Sequence, residues 1–269
     1  MNPTDTHSVL ETAIHAAREG GRILFSGFRT LQSDQVALKA AGDYVTDCDH
    51  DSERTIIRVI REAFPDHTIH AEESGSHAEG SGAEWFIDPL DGTANFVQGL
   101  PIFAISLAWV RDGEIRLGVV HDPVHDELFH AVKDGGAFLN DRPIRVSGKS
   151  DFSNAMLATG FPWRSKPRLA QYLKSFETLF GPCAGIRRMG AATLDLAYTA
   201  CGRYDGFWEM KLKPWDIGAG ILLVREAGGV VTDFNGESGF FGSGNLVAGT
   251  PDVYARMLKA TRKWLSDVE

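Results

Sequence analysis

Cysteine is scarce in this chain: three in 269 residues, Cys48, Cys183 and Cys201, scattered and without CxxC spacing. An odd, dispersed set supports neither a disulfide framework nor a zinc knuckle, and it fits a reducing compartment. Basic residues are also few, 27 Lys and Arg against 36 Asp and Glu, for a formal net charge of −9. Nucleic-acid backbones call for basic faces. The densest basic spots here, Arg187-Arg188 and Lys211 with Lys213, are too small to supply one, so no nucleic-acid partner is expected. A long apolar run is missing as well. Residues 92–110 carry no charge and have the length to span a bilayer, but Gly92, Asn95, Gln98, Gly99 and Pro101 break the stretch. The polar, acidic start Thr4-Asp5-Thr6-His7 does not read as a signal peptide. A cytoplasmic protein without a membrane partner is the expectation.

What is present is an ordinary globular composition, 43% hydrophobic and 23% charged, long enough for one large domain or two closely joined lobes. No repeat is visible, and no linker rich in Pro, Ser or Gly divides the chain. Val9, Leu10, Ala13, Ile14 and Ala17 recur at helical spacing, with a continuation past Gly20-Gly21 through Ile23, Leu24 and Phe28, and a second helix is expected over 47–63. Strands are expected at His67–Ala71 and Trp85–Asp88. Hairpins follow from Ile102–Val110 to Glu114–His121 through Arg111-Asp112-Gly113, and from Glu127–Val132 to Ala137–Leu139 through Asp134-Gly135-Gly136. Beyond residue 150 the pattern alternates: helices Arg168–Phe180, Ala191–Ala200, Asp216–Ala227 and Val253–Leu265, with strands Phe207–Glu209 and Val230–Phe234. Lobes of about 1–150 and 151–269 sharing a cleft are the natural reading.

The most informative segment is Asp88-Pro89-Leu90-Asp91-Gly92-Thr93, entered from the apolar Trp85-Phe86-Ile87. A strand ending at Asp88 would set two carboxylates and a constrained carbonyl at one point. Hard cations such as Mg²⁺ prefer such oxygen donors. Gly92 permits a close approach, and N–H groups after a glycine turn suit a phosphate. Taken alone, the segment can equally be a turn followed by a helix cap.

Three further acidic segments bear on that choice. Glu72 in His70-Ala71-Glu72-Glu73-Ser74 follows a predicted strand and could face a cleft, or the pair could be a solvated loop. Asp43, Asp47 and Asp49 lie before and at the start of the second helix, where an aspartate N-cap is the plain alternative. Asp216 in Trp215-Asp216 opens a helix and can be its N-cap, its cleft-facing carboxylate, or both. His121 and His125 stand four apart, but at a strand end, and are not expected to bind metal.

The four acidic segments, in this order, closely resemble the inositol monophosphatase family of Mg²⁺-dependent, lithium-sensitive phosphatases. The resemblance runs from about residue 8 to 265 and rests on Asp-Tyr-Val-Thr-Asp-Cys-Asp, Ala-Glu-Glu-Ser, Trp-Phe-Ile-Asp-Pro-Leu-Asp-Gly-Thr-Ala-Asn-Phe and Trp-Asp-Ile-Gly-Ala-Gly. It implies a single domain over 1–269 with an α+β or α/β fold. The architecture would be a layered αβαβα sandwich, an antiparallel sheet in the N-terminal half and a mixed sheet in the C-terminal half, in a homodimer.

It also implies roles. Glu72, Asp88 and the Leu90 carbonyl would hold one Mg²⁺, and Asp88, Asp91 and Asp216 a second. Glu72 would also serve a weaker third ion, near which Lys39 matches a flexible-loop lysine. Asp49 and Thr93 would orient the attacking water, making Asp49, Thr93 and Glu72 the catalytic set. The phosphate would rest on Gly92 and Thr93. Substrate contacts would come from Asp91, Gly190, Ala192, Glu209 and Asp216, with Glu209 accepting from polyol hydroxyls. Ala191 replaces a hydroxyl residue of some relatives.

The implied reaction is hydrolysis of a phosphate monoester, myo-inositol 1-phosphate first. Histidinol phosphate, fructose 1,6-bisphosphate and a nucleotide phosphate are the alternatives within the class. A regulatory binding protein retaining the fold is the alternative outside it.

Overall fold

The computed structural model describes residues 3–40, 42–77 and 82–268, and its first half alternates helices with one broad sheet. Helix α1 (Pro3–Gly27) runs unbroken past Gly20-Gly21. Strands β1 (Val36–Ala40) and β2 (Asp43–Thr46) pair antiparallel ahead of α2 (Asp47–Ala63). Then come β3 (Thr68–Ala71), β4 (Gly75–His77), β5 (Ala83–Asp91) and the short α3 (Thr93–Val97). Strands β6 (Ala104–Arg111), β7 (Glu114–Asp122), β8 (Glu127–Val132), β9 (Gly136–Leu139) and β10 (Arg142–Pro143) form a meander. The second half holds β11 (Met156–Thr159), α4 (Leu169–Phe180), β12 (Gly185–Arg187), α5 (Ala192–Ala200) and β13 (Gly206–Glu209). It closes with α6 (Pro214–Glu226), β14 (Val230–Thr232), α7 (Phe240–Ser243), β15 (Leu246–Gly249) and α8 (Pro251–Leu265).

Besides the β1-β2 pair, the strands among the described residues make an eight-stranded sheet, β10-β9-β8-β7-β6-β5-β3-β4, and a five-stranded sheet, β12-β11-β13-β15-β14. Helices α1 and α2 cover one face of the first sheet, α5 and α6 lie between the sheets, and α8 with α4 covers the outer face of the second. That is the layered αβαβα order. The second sheet is mixed, as expected. The first is antiparallel except for β3 against β5, which run parallel, because β4 pairs antiparallel on the far side of β3 and reverses the chain before β5.

Strand β6 explains the uncharged run that mimicked a membrane segment. Ile105, Leu107 and Trp109 face α1 and α2 with Ile56, Ile60 and Trp85, while Ala104, Ala108 and Val110 face α5 and α6. Side chains alternate across a strand, so a strand covered on both faces reads as a nearly continuous apolar run, here with the buried Ser106 donating to the Trp215 carbonyl. Helix α6 shows the same logic in helical form. Asp216 through Val224 are all buried, as a helix packed between two sheets must be. No helix among the described residues is long and apolar enough to cross a membrane.

Several boundaries differ from the sequence reading. Strand β5 does not stop at Asp88 but continues to Asp91, its pairing with β6 shifting register between those residues. That shift follows from Pro89, which has no N–H to give to the ladder. Helix α4 starts at Leu169, preceded by a 3-10 stretch over Trp163–Arg168. Strand β14 ends at Thr232.

Candidate functional site

The acidic segments meet in a cleft of about 230 Å³ at the end of the middle helical layer, which Glu72, Asp88, Leu90, Asp91, Thr93 and Asp216 help to line. Each is fixed by local chemistry. Asp88 is 1% exposed, and its Oδ1 accepts the Leu90 N–H at 3.0 Å, which fixes the carboxylate against the backbone two residues on. Ser52 donates to the Pro89 carbonyl. Asp91 Oδ2 accepts the Thr193 N–H at 2.7 Å, tying β5 to the first turn of α5. The turn carrying Glu72 is held from behind, where the buried Glu53 accepts the N–H groups of Glu73 and Ser74 at 2.8 and 2.9 Å.

Two aspartates expected as N-caps sit three residues inside their helices. Thr46 caps α2, and the Asp49 carboxylate reaches back to the Thr46 N–H at 2.8 Å. Lys213 is the cap of α6, with Pro214 in the first turn, and Asp216 Oδ2 accepts the Lys213 N–H at 2.7 Å. The third helical position is where an acidic side chain satisfies the cap N–H. It also leaves the second oxygen of each carboxylate for other partners.

Gly92 turns the chain with φ +93°, and a Cβ there would stand 2.8 Å from the Ile102 carbonyl, so only glycine fits. The N-terminal ends of α3, α5 and α6 face the cleft through Thr93, Ala192 and Asp216. Helix N-termini carry partial positive charge. Asn95 ties α3 to the opposite wall by donating to the Ile102 and Met189 carbonyls.

The carboxylates feel one another. Burial, then Glu72, Asp91 and Asp216, raises the Asp88 carboxyl well above the usual range. Burial and Asp216 push Asp91 to about 7. Burial raises Asp216 to about 6 against the pull of Arg164, and Asp49 to about 6 against hydrogen bonds from Thr46 and Thr93. Crowded acids of this kind call for a cation, and carboxylate and carbonyl oxygens are the donors hard divalent ions take. Yet among the described residues no three Asp, Glu, His or Cys side chains stand grouped to hold a metal. Two of the expected ligands are paired with protein cations: Glu72 with Lys39 at 3.2 Å and Asp216 with Arg164 at 3.5 Å. The donor set fits Mg²⁺ in chemistry, carboxylates beside a backbone carbonyl.

Glu209 lies on β13, not in an exposed loop, and lines the same cleft. Burial and the charges of Asp91 and Asp216 raise it to about 8. Gly160 lies against it, so close that a Cβ would come within 2.0 Å of the Glu209 carboxyl. Gly190 and Ala192 are also at the cleft. His121 is remote from it, its ring bonded to the Ala17 carbonyl at 3.1 Å, and His125 pairs with Asp122. The sequence reading missed Trp163 and Arg164, which form part of the wall. Gly160-Phe161-Pro162-Trp163-Arg164 carries no periodic or motif signal, and only the fold brings it there.

A layered sandwich with an acid-lined cleft at the helix ends is the architecture of a metal-dependent phosphatase superfamily. The chain belongs to the inositol monophosphatase family, whose model matches residues 5–265. Among its relatives, the Nus factor SuhB of Pasteurella multocida (strain Pm70) is 46% identical over 268 residues, 99% of this chain and 98% of that protein. The Nus factor SuhB of Escherichia coli (strain K12) is 45% identical over 263 residues, 97% of this chain and 98% of that protein. Among solved structures, the extragenic suppressor protein suhB from Bartonella henselae superposes with a TM-score of 0.92 at 41% identity, covering 95% of this chain and 98% of that one. The inositol monophosphatase from Anabaena (Nostoc) sp. PCC 7120 gives 0.86 at 36% identity, covering 97% and 99%.

Proposed function

We propose that the protein is a Mg²⁺-dependent phosphomonoesterase that hydrolyses inositol monophosphate or a similar polyol phosphate to the alcohol and inorganic phosphate. One observation carries this reading: Glu72, Asp88, Asp91 and Asp216 converge on a single cleft to which three helix N-termini also point. In it Glu72, Asp88 and the Leu90 carbonyl would hold one ion, and Asp88, Asp91 and Asp216 another, with Glu72 also serving a third. Bound Mg²⁺ supplies an activated water at neutral pH and Lewis-acid stabilisation of the leaving alkoxide. Gly92 and Thr93 receive phosphate oxygens on their N–H groups. Asp49 and Thr93 orient the attacking water, with Asp49 accepting its proton. Glu209, Gly190 and Ala192 face the alcohol, and a carboxylate there accepts from polyol hydroxyls. The same reading takes residues 1–269 as one domain working as a homodimer in the cytoplasm, inhibited by lithium.

A panel of inositol 1-phosphate, histidinol phosphate, fructose 1,6-bisphosphate and a nucleotide phosphate, assayed for released phosphate, tests this. The expected result is Mg²⁺-dependent release, fastest from inositol 1-phosphate and abolished by chelator. Equal release with chelator, or none from any substrate, overturns the reading. The relatives' name, Nus factor, is not that of an enzyme and favours a second reading, a regulatory binding protein. A folded, Mg²⁺-binding chain inert toward the whole panel would leave that reading alone.

A further inference from the structure

Of the four acids expected as metal ligands, Glu72 and Asp216 carry protein cations and Asp88 and Asp91 do not. Lys39 Nζ stands 3.2 Å from Glu72 Oε1 and 2.5 Å from Glu73 Oε1. Arg164 Nη1 stands 3.5 Å from Asp216 Oδ2, its guanidinium stacked 4.2 Å over the Trp163 ring. Asp88 and Asp91 have backbone N–H partners from Leu90 and Thr193, and the ion pairs among the described residues include neither of them. Lys39 comes from β1 and Arg164 from the 3-10 stretch Trp163–Arg168. Their side chains are 29% and 27% exposed, so water screens both pairs in part.

We infer that divalent-ion binding in this cleft is a cation exchange, in which the ions take Glu72 and Asp216 from Lys39 and Arg164. The inference rests on the proposed assignment of those two acids as metal ligands. The Glu72 oxygen that accepts from an ammonium cannot give its full charge to a divalent ion, and the ion repels the ammonium beside it. Lys39 keeps its second partner, Glu73, and Arg164 keeps the Trp163 face, so neither leaves the cleft when displaced. Each then stands beside a cluster of divalent charge with a donor free for an anion. Ion binding and phosphate binding thereby favour one another, and such coupling is reciprocal.

A cation that only props up the cleft and a cation that competes with the ion have opposite signatures. Loss of a prop weakens Mg²⁺ binding, whereas loss of a competitor tightens it. Isothermal titration of the chelator-treated full chain with MgCl₂ separates them, using Lys39→Met and Arg164→Met with circular dichroism to confirm folding. Each variant is expected to bind Mg²⁺ about two- to fivefold more tightly than the wild type, the range of a partly exposed ion pair, and Lys39→Arg to return toward the wild-type value. Absence of Mg²⁺ binding by the wild type would remove the metal assignment and the exchange together. Mg²⁺ binding by the wild type, with unchanged or weaker affinity in both folded methionine variants, would overturn the exchange alone.

Discussion

The Thr93 hydroxyl lies 3.1 Å from Asp49 Oδ1 and 3.0 Å from the Leu90 carbonyl, so its one hydrogen is shared between a buried carboxylate and the strand end. The other Asp49 oxygen is saturated by the Thr46 N–H and hydroxyl at 2.8 and 2.6 Å. Only the oxygen facing Thr93 remains to take a proton. Three chain segments, the α2 start, the β5 end and the α3 start, are locked into this one contact.

If that pair orients water, Asp49→Asn should lower kcat by about 10²–10³-fold, within the usual range for general acid–base groups, while leaving Mg²⁺ affinity close to that of the wild type. Thr93→Val should lose a similar amount. Steady-state kinetics beside Mg²⁺ titration check this, and a variant with normal kcat would remove the dyad from the chemistry.

Asp91 is anchored by the Thr193 N–H, an interaction that the Asn amide oxygen can also make. Asp91→Asn should therefore keep the fold by circular dichroism. It should lose Mg²⁺-dependent turnover by at least about 10³-fold, the equivalent of several kcal/mol of metal stabilisation. Activity near wild type would count against its role as a ligand.

Gly160 has no room for a side chain, because a Cβ would press into the Glu209 carboxyl. Gly160→Ala should destabilise the protein by about 1–3 kcal/mol, as overpacking does. It should also displace Glu209, so that kcat/KM falls further for inositol 1-phosphate than for an aryl phosphate. Denaturant midpoints and the two-substrate comparison report the two effects separately.

Glu209 also predicts a pH dependence of stability. Its carboxyl titrates at about 8 in the folded chain, raised by burial from an ordinary 4.5. Between those values the folded state holds a proton that the unfolded chain has released, so stability falls as pH rises through that window. Melting temperature in chelator should decline from pH 5 to pH 8, and Glu209→Gln should flatten the decline. An identical slope in the variant would show that Glu209 is not the group responsible.

The sequence made the site legible where residues cluster in short segments, and obscured it where tertiary packing decides. Asp88, Asp91 and Gly92 fall within five positions whose chemistry is local, and Glu72 and Asp216 announce themselves beside a strand and a helix start. The fold class followed from the texture of the two halves and from the family resemblance. Strands of three or four residues such as β11, β12 and β15 left no periodic trace, being covered by helices or set at an edge. The cap positions went to Thr46 and Lys213 because an Asp three residues inward can serve the same N–H. Arg164 could not be found, since its partner Asp216 is 52 positions away and nothing local marks it.

The most direct test is a crystal grown with Mn²⁺ in place of Mg²⁺ and measured for anomalous scattering. The account predicts at least two peaks about 3.5–4 Å apart, the usual spacing of two-metal sites. One should be bounded by Glu72, Asp88 and the Leu90 carbonyl, the other by Asp88, Asp91 and Asp216. A fully occupied ion elsewhere with no density between those carboxylates, or none at all at millimolar Mn²⁺, would contradict it.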